Sequence, residues 1–137
     1  MNFFLTLLTS CVLATSPTTT DIDNYISCRD TVKKIETVSY WTPLIEKYFK
    51  QEDVKRSLLI IYCESRGKAT AVGKNTNGTY DVGLWQFNDA TWTWLSEKLQ
   101  IISPRTNARV STAVASWLVY NDGWYHWNSS KHCWGEE

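Results

Sequence analysis

The sequence predicts a mainly α-helical α+β domain with one small β-hairpin, on three observations. Apolar residues recur at helical spacing through much of the chain, and capping and stop residues bracket those runs. The pair Asn77-Gly78, between short polar and aromatic segments, supplies a two-residue hairpin signal. The 137 residues are 43% apolar and 20% charged, which suits one domain large enough to bury a core.

In chain order, Phe3 to Ala14 is predominantly apolar and too short to span a bilayer. A Thr-rich run follows, so residues 1–16 read as a secretory signal peptide, 17–24 as a linker and 25–137 as the domain. Leu8-Thr9-Ser10-Cys11 resembles a lipoprotein box, but simple export is the preferred reading. Thr42-Pro43 starts a helix through about Lys50. Asp53 is placed to cap a second helix, with Leu58, Leu59, Ile61 and Tyr62 as its apolar flank and Gly67 as its stop. Asn88 or Asp89 caps a helix through Leu99, and Asn107 caps one reaching Tyr120, whose Val110, Val114, Trp117 and Leu118 share a face. Gly123 and the aromatics Trp124, Tyr125, Trp127 and Trp134 form a compact tail, for which packing is the favoured role.

Two carboxylates carry the chemistry. Glu64 falls in the last turn of its helix, where the negative end of the helix dipole and an apolar surround both disfavour ionisation. Asp81 falls on the returning strand of the hairpin, where Asn75 and Asn88 can offer amide donors that keep a carboxylate charged. A protonated acid opposite an anion is the minimum set for breaking a glycosidic bond. Taken alone, Glu64 is more commonly an exposed helix-end residue, and the Asp81 segment is what tips the balance. Sugar rings present apolar faces to aromatics, which makes Trp85 and Trp92 candidates for stacking.

Residues 75–88 resemble the catalytic hairpin of c-type lysozymes in the pattern Asn-Thr-x-Gly-[Ser/Thr]-x-Asp-x-Gly-x-x-Gln-x-Asn. The seventeen-residue separation of Glu64 and Asp81 is similar to that family's. A longer stretch resembles the lytic transglycosylase (SLT) domains of the same superfamily. It comprises Glu64-Ser65 with Ala71-Val72, then Gly83-Leu84-Trp85-Gln86-Phe87-Asn88-Asp89-Ala90-Thr91-Trp92, then Tyr120-Asn121-Asp122-Gly123. Here Trp85 stands for Met, Asp89 for Pro and Asp122 for Ala of the family pattern.

The resemblance implies a lysozyme-like fold and a peptidoglycan glycosidase acting on the β-1,4 bond between N-acetylmuramic acid and N-acetylglucosamine. Glu64 is then the general acid/base and Asp81 the nucleophile or electrostatic stabiliser. Asn75, Gln86, Asn88, Trp92 and Tyr120 are the implied substrate-binding residues. The alternatives are a lytic transglycosylase forming 1,6-anhydro products with Glu64 alone, and a non-catalytic glycan-binding module.

No cofactor is implied. His126, His132 and Cys133 lack paired ligand spacing, so no metal is expected. Fourteen basic residues balance fourteen acidic ones, which gives no signature for nucleic acid. A monomer without stable membrane insertion is expected. If Cys11 departs with a leader, three cysteines remain, and a Cys63–Cys133 bridge is preferred over Cys28–Cys133 because it clamps the tail against the Glu64 turn.

Overall fold

Helix begins earlier than the sequence suggests. In the computed structural model, which describes residues 10–135, the first element is α1 (Thr19–Val38). Thr18 caps it: the Thr18 hydroxyl accepts from Asp21 N–H, and Asp21 accepts from Thr18 N–H, a reciprocal capping box. Residues 19–24, expected as linker, are therefore its first turns. The Thr-rich composition misled because one of those threonines is a cap. Apolar periodicity is weak along α1, which buries only Val32, Ile35 and Val38, so composition gave no sign of the helix.

Helix α2 (Thr42–Tyr48) carries Pro43 in its first turn, as expected. Helix α3 (Val54–Ser65) is the buried spine, with Val54, Leu58, Leu59, Ile60 and Ile61 in the core. Asp53 occupies its N-cap position without making a cap bond, because its carboxylate accepts the Tyr120 hydroxyl at 2.7 Å instead. The helix ends at Ser65, two residues before Gly67, with its C-cap Arg66 in the left-handed region.

Three short strands follow: β1 (Val72–Lys74), β2 (Tyr80–Val82) and β3 (Phe87–Asn88), antiparallel in that order. The expected hairpin is thus the first pair of a three-stranded sheet. Its turn is also one residue longer than Asn77-Gly78 alone implies. Gly78 N–H bonds the Asn75 carbonyl and Asn75 N–H the Thr79 carbonyl, leaving residues 76–78 as the loop with Gly78 at φ 84°. A three-residue loop closed by a left-handed glycine is a standard hairpin solution. Between β2 and β3, Gly83 is obligatory: at φ 91°, a Cβ there would lie 2.3 Å from the Arg105 carbonyl oxygen.

Helix α4 (Asp89–Leu99) is capped by Asn88 and α5 (Ala108–Asp122) by Asn107, as the sequence indicates. A kinked 3-10 segment, Trp124–Ser130, leads into the short α6 (Lys131–Trp134). Helices α1, α2 and α6 pack on α3, α5 packs on α2, and α4 closes over β2 and β3. Among the described residues no helix is long and apolar enough to cross a membrane.

Trp85 is wholly buried and stacks on Phe49 at 5.5 Å, with Trp127 5.4 Å away. Each buried indole finds an acceptor: Trp85 donates to Thr112 Oγ1, Trp127 to the Trp85 carbonyl, and Trp134 to the Trp127 carbonyl. Trp85 is thus a core residue and corrects the expectation that it stacks on sugar. Trp127 and Trp134 are buried, as favoured from sequence.

Two disulfides are present. Cys63–Cys133 is the preferred bridge, and it ties α3 to α6. Cys11 is bridged to Cys28, so Cys28 has a partner, contrary to the expectation that it is left over. The pairing arises because the segment before Thr18 runs back beside α1 and brings the two Cα atoms within 5.9 Å. Most of the expected leader, residues 1–9, lies outside the described residues.

The Cys63–Cys133 bridge spans 70 residues, and closing a loop of that size is worth roughly 4 kcal/mol on chain-entropy grounds. Calorimetry of a Cys63→Ala/Cys133→Ala protein should show a markedly lower Tm. An unchanged Tm would mean that noncovalent packing of α6 on α3 suffices.

Candidate active site

Glu64 projects from the last turn of α3, one residue before Ser65, whose buried hydroxyl is shared between the Ile61 carbonyl (3.0 Å) and the Leu84 carbonyl (2.8 Å). That hydroxyl fastens the helix end to the turn that follows β2. Asp81 sits in the middle strand, opposite Gly73 on one side and Asn88 on the other. Glu64 and Asp81 line a common cleft of about 220 Å³ with Gln86, Phe87, Asn88, Thr91, His126, Trp127 and Ser129. An acid from the helical part thus meets a carboxylate from the sheet across one cavity.

The Glu64 carboxyl is pushed above the ordinary glutamate value, first by burial and less by the negative charge of Asp81. Ser130 works against both. Its hydroxyl donates to Glu64 Oε1 at 2.6 Å, which favours the charged form. Burial is the largest of the three influences, so Glu64 holds its proton to higher pH than a solvated glutamate.

Asn88 does three jobs. Its amide donates to Asp81 Oδ1 at 2.8 Å and to Thr79 Oγ1 at 3.1 Å, while its Oδ1 caps α4 through Ala90 N–H. The side-chain bond follows from register, since Asp81 and Asn88 are cross-strand neighbours. Asn75, expected to share this task, donates to Thr79 Oγ1 instead and braces the loop. Gln86 lines the cleft from a left-handed backbone (φ 52°), and its amide is held by the Ala71 and Gly83 carbonyls.

Three of the expected substrate-binding residues, Asn75, Trp92 and Tyr120, are not among those lining this cavity. Trp92 packs against Phe87 at 5.3 Å and supports the cleft wall from behind, while the neighbouring Thr91 faces the cavity. Tyr120 accepts from Lys50 N–H and donates to Asp53, pinning α5 to the start of α3. Burial, with the Asp53 bond and charge, pushes its hydroxyl up to about 12. These bonds place Tyr120 at the N-terminal end of α3, whereas Glu64 stands at its C-terminal end.

Sequence reasoning missed four contributors. Arg105 donates to the Phe87 and Tyr80 carbonyls and pairs with Asp89 at 2.8 Å, while Asp89 also accepts from Tyr80 N–H. This explains Asp89 where the transglycosylase pattern has Pro: it staples β2 and β3. His126 lines the cleft, its Nε2 2.7 Å from Asp122, and Tyr125 donates to the same carboxylate. Those two partners hold the Asp122 carboxyl below its usual range, Tyr125 contributing more. The Asp122/His126 spacing of four residues was a readable signal. Ser129 and Ser130 carried none, because a serine in an irregular tail is unremarkable by pattern.

The profile of the lysozyme-like domain family matches residues 46–128, more than half of the chain. The chain belongs to the lysozyme-like domain family. No curated protein and no solved structure matches it. For a lysozyme-like domain the glycan is the expected ligand class, and both cleft carboxylates fall inside the matched region.

A carboxyl whose native pKa is raised stabilises the fold only while protonated. Below the ordinary glutamate value of 4.5, Glu64 is neutral in both folded and unfolded chains, and stability is unaffected. As pH rises through its raised native value, the unfolded chain releases the proton more easily and the native state loses ground. Glu64→Gln cannot ionise, so its Tm should exceed that of the unsubstituted protein at pH 8 and match it near pH 4. A Tm difference that is constant across that range would contradict the burial of Glu64.

Proposed function

We propose that this lysozyme-like domain is an exported muramidase that hydrolyses the β-1,4 bond between N-acetylmuramic acid and N-acetylglucosamine in peptidoglycan. The observation that carries the reading is Glu64, with its proton held by burial, sharing a cleft with Asp81. Glu64 donates its proton to the glycosidic oxygen as the C1–O bond breaks, and that bond's electron pair stays with the departing oxygen. Asp81 stabilises or traps the oxocarbenium-like carbon. Glu64, now ionised, then takes a proton from the incoming water. Gln86, Asn88, Thr91, His126 and Ser129 supply polar contacts to the sugars. The two disulfides fit an oxidising compartment outside the cytoplasm.

Mass spectrometry of muropeptides after incubation with purified peptidoglycan tests the reaction. Reducing ends are expected, and 1,6-anhydro ends would replace hydrolysis with transglycosylation. Glu64→Gln should lower turnover by ~10²–10⁴-fold, because general acid catalysis is typically worth that much. Asp81→Asn should lower kcat by at least ~10²-fold with KM little changed, since charge stabilisation of this kind acts in the transition state. A fully active Asp81→Asn enzyme would leave Glu64 working alone.

A further inference from the structure

The part of the chain that reaches Glu64 from outside the family match is its C-terminal tail. The match ends at residue 128, yet Ser130 Oγ lies 2.6 Å from Glu64 Oε1. Ser130 is itself held in place: Trp134 Nε1 donates to its oxygen at 3.1 Å, and the Trp127 carbonyl lies 3.1 Å from the same oxygen. Trp127 and Trp134 are buried, so neither partner is free to drift. Cys133, next to Trp134, is bridged to Cys63, next to Glu64. The tail is thus covalently clasped to the same turn of helix that carries the acid.

A serine hydroxyl has one hydrogen and two lone pairs. Here the Trp134 indole takes one lone pair, and the hydroxyl donates to Glu64 Oε1 at 2.6 Å in preference to the more distant Trp127 carbonyl at 3.1 Å. An oxygen that accepts this hydrogen is the carbonyl-like oxygen of a protonated carboxyl. The acidic proton must then sit on the other one.

We infer that Ser130 is a positioning residue that assigns the Glu64 proton to Oε2 and orients it for transfer, with the Cys63–Cys133 clasp keeping Ser130 in register. This rests on the reading of Glu64 as the acid. The proton passes from Oε2 to the glycosidic oxygen, and the O–H electron pair remains on Glu64 as a carboxylate. The Ser130 hydrogen then stabilises that new charge at Oε1. Two other titratable groups share the cleft, Asp81 from β2 and His126 from the tail. Lys34 of α1, which packs on α3, is engaged by Asp30 and the Cys133 carbonyl, and Arg66 lies over the Tyr62 ring.

The test compares the unsubstituted protein with Ser130→Ala and Ser130→Thr in two ways. Carbon-13 NMR of the Glu64 carboxyl follows its titration without reference to activity, and pH–rate profiles on peptidoglycan follow catalysis. Loss of the hydroxyl removes an influence that favours the charged form, so in Ser130→Ala the Glu64 titration and the alkaline limb of the rate should both move to higher pH. At the same time kcat should fall about tenfold with KM unchanged, the scale of loss expected from a misoriented reacting group. Ser130→Thr, which keeps the hydroxyl, should restore both. A purely structural serine would lower Tm without moving the titration. Identical Glu64 titrations in folded unsubstituted protein and Ser130→Ala would overturn the inference, as would a kcat loss that Thr does not restore. If the titration moves while the unsubstituted protein cleaves no peptidoglycan, the Ser130 contact stands and the glycosidase reading falls.

Discussion

The buried hydroxyl of Ser65 joins the end of α3 to the Leu84 carbonyl, and the relation between the two carboxylates depends on that joint. Glu64 is the residue before Ser65, and Leu84 is three residues after Asp81. Next to Leu84, Trp85 is sunk between Phe49 and Trp127, so the sheet is anchored to the helical core at the same point. A cleft built across two layers needs such a fixed seam, because catalytic geometry tolerates displacements of well under an ångström. Ser65, Leu84 and Trp85 are all buried, which makes the seam both dry and stiff.

The same arrangement makes the two carboxylates unequal. Asp81 lies in the middle of a small sheet, where Asn88 can reach it across the strand pair and satisfy one of its oxygens. Glu64 lies where the tail covers α3, and burial dominates there over both the Ser130 bond and the Asp81 charge. Burying a carboxyl is a recurrent way to keep a proton on it at higher pH. Neither environment is local to the residue concerned. The tail folds against Glu64, where Ser130 opposes the effect of burial, and the Arg105 staple holds the strands around Asp81.

That distribution explains what could be read in the chain. Helices α2 to α5 were legible because each carries its own punctuation: Pro43, the apolar run before Glu64, and the Asn88 and Asn107 caps. Glu64 and Asp81, which line one cavity, could be singled out together because the hairpin motif around Asp81 is contiguous. Helix α1 was not, since only one shallow stripe of it is buried and the capping box at Thr18 hides in a run of threonines. Trp85 was read as a cleft residue from its closeness to Asp81 and Tyr120 from its motif, but side-chain direction is decided by tertiary packing that neither encodes. Ser130 and Arg105 act across long loops, where periodicity and spacing carry no information.

A tail that creates the acid's environment also constrains how the protein can vary. Burial leads the causes of the raised Glu64 pKa, so any burial lost when the tail loosens would bring that pKa down towards the ordinary value. Stability and proton-donating ability are therefore coupled through one segment, and the Cys63–Cys133 bridge is where they meet. The coupling runs one way. The bridge can be lost with the sheet intact, since β1 to β3 are held by their own ladder and by Arg105, none of which involves α6. Loosening the tail should thus affect Glu64 before it affects Asp81, whose strands stay in place.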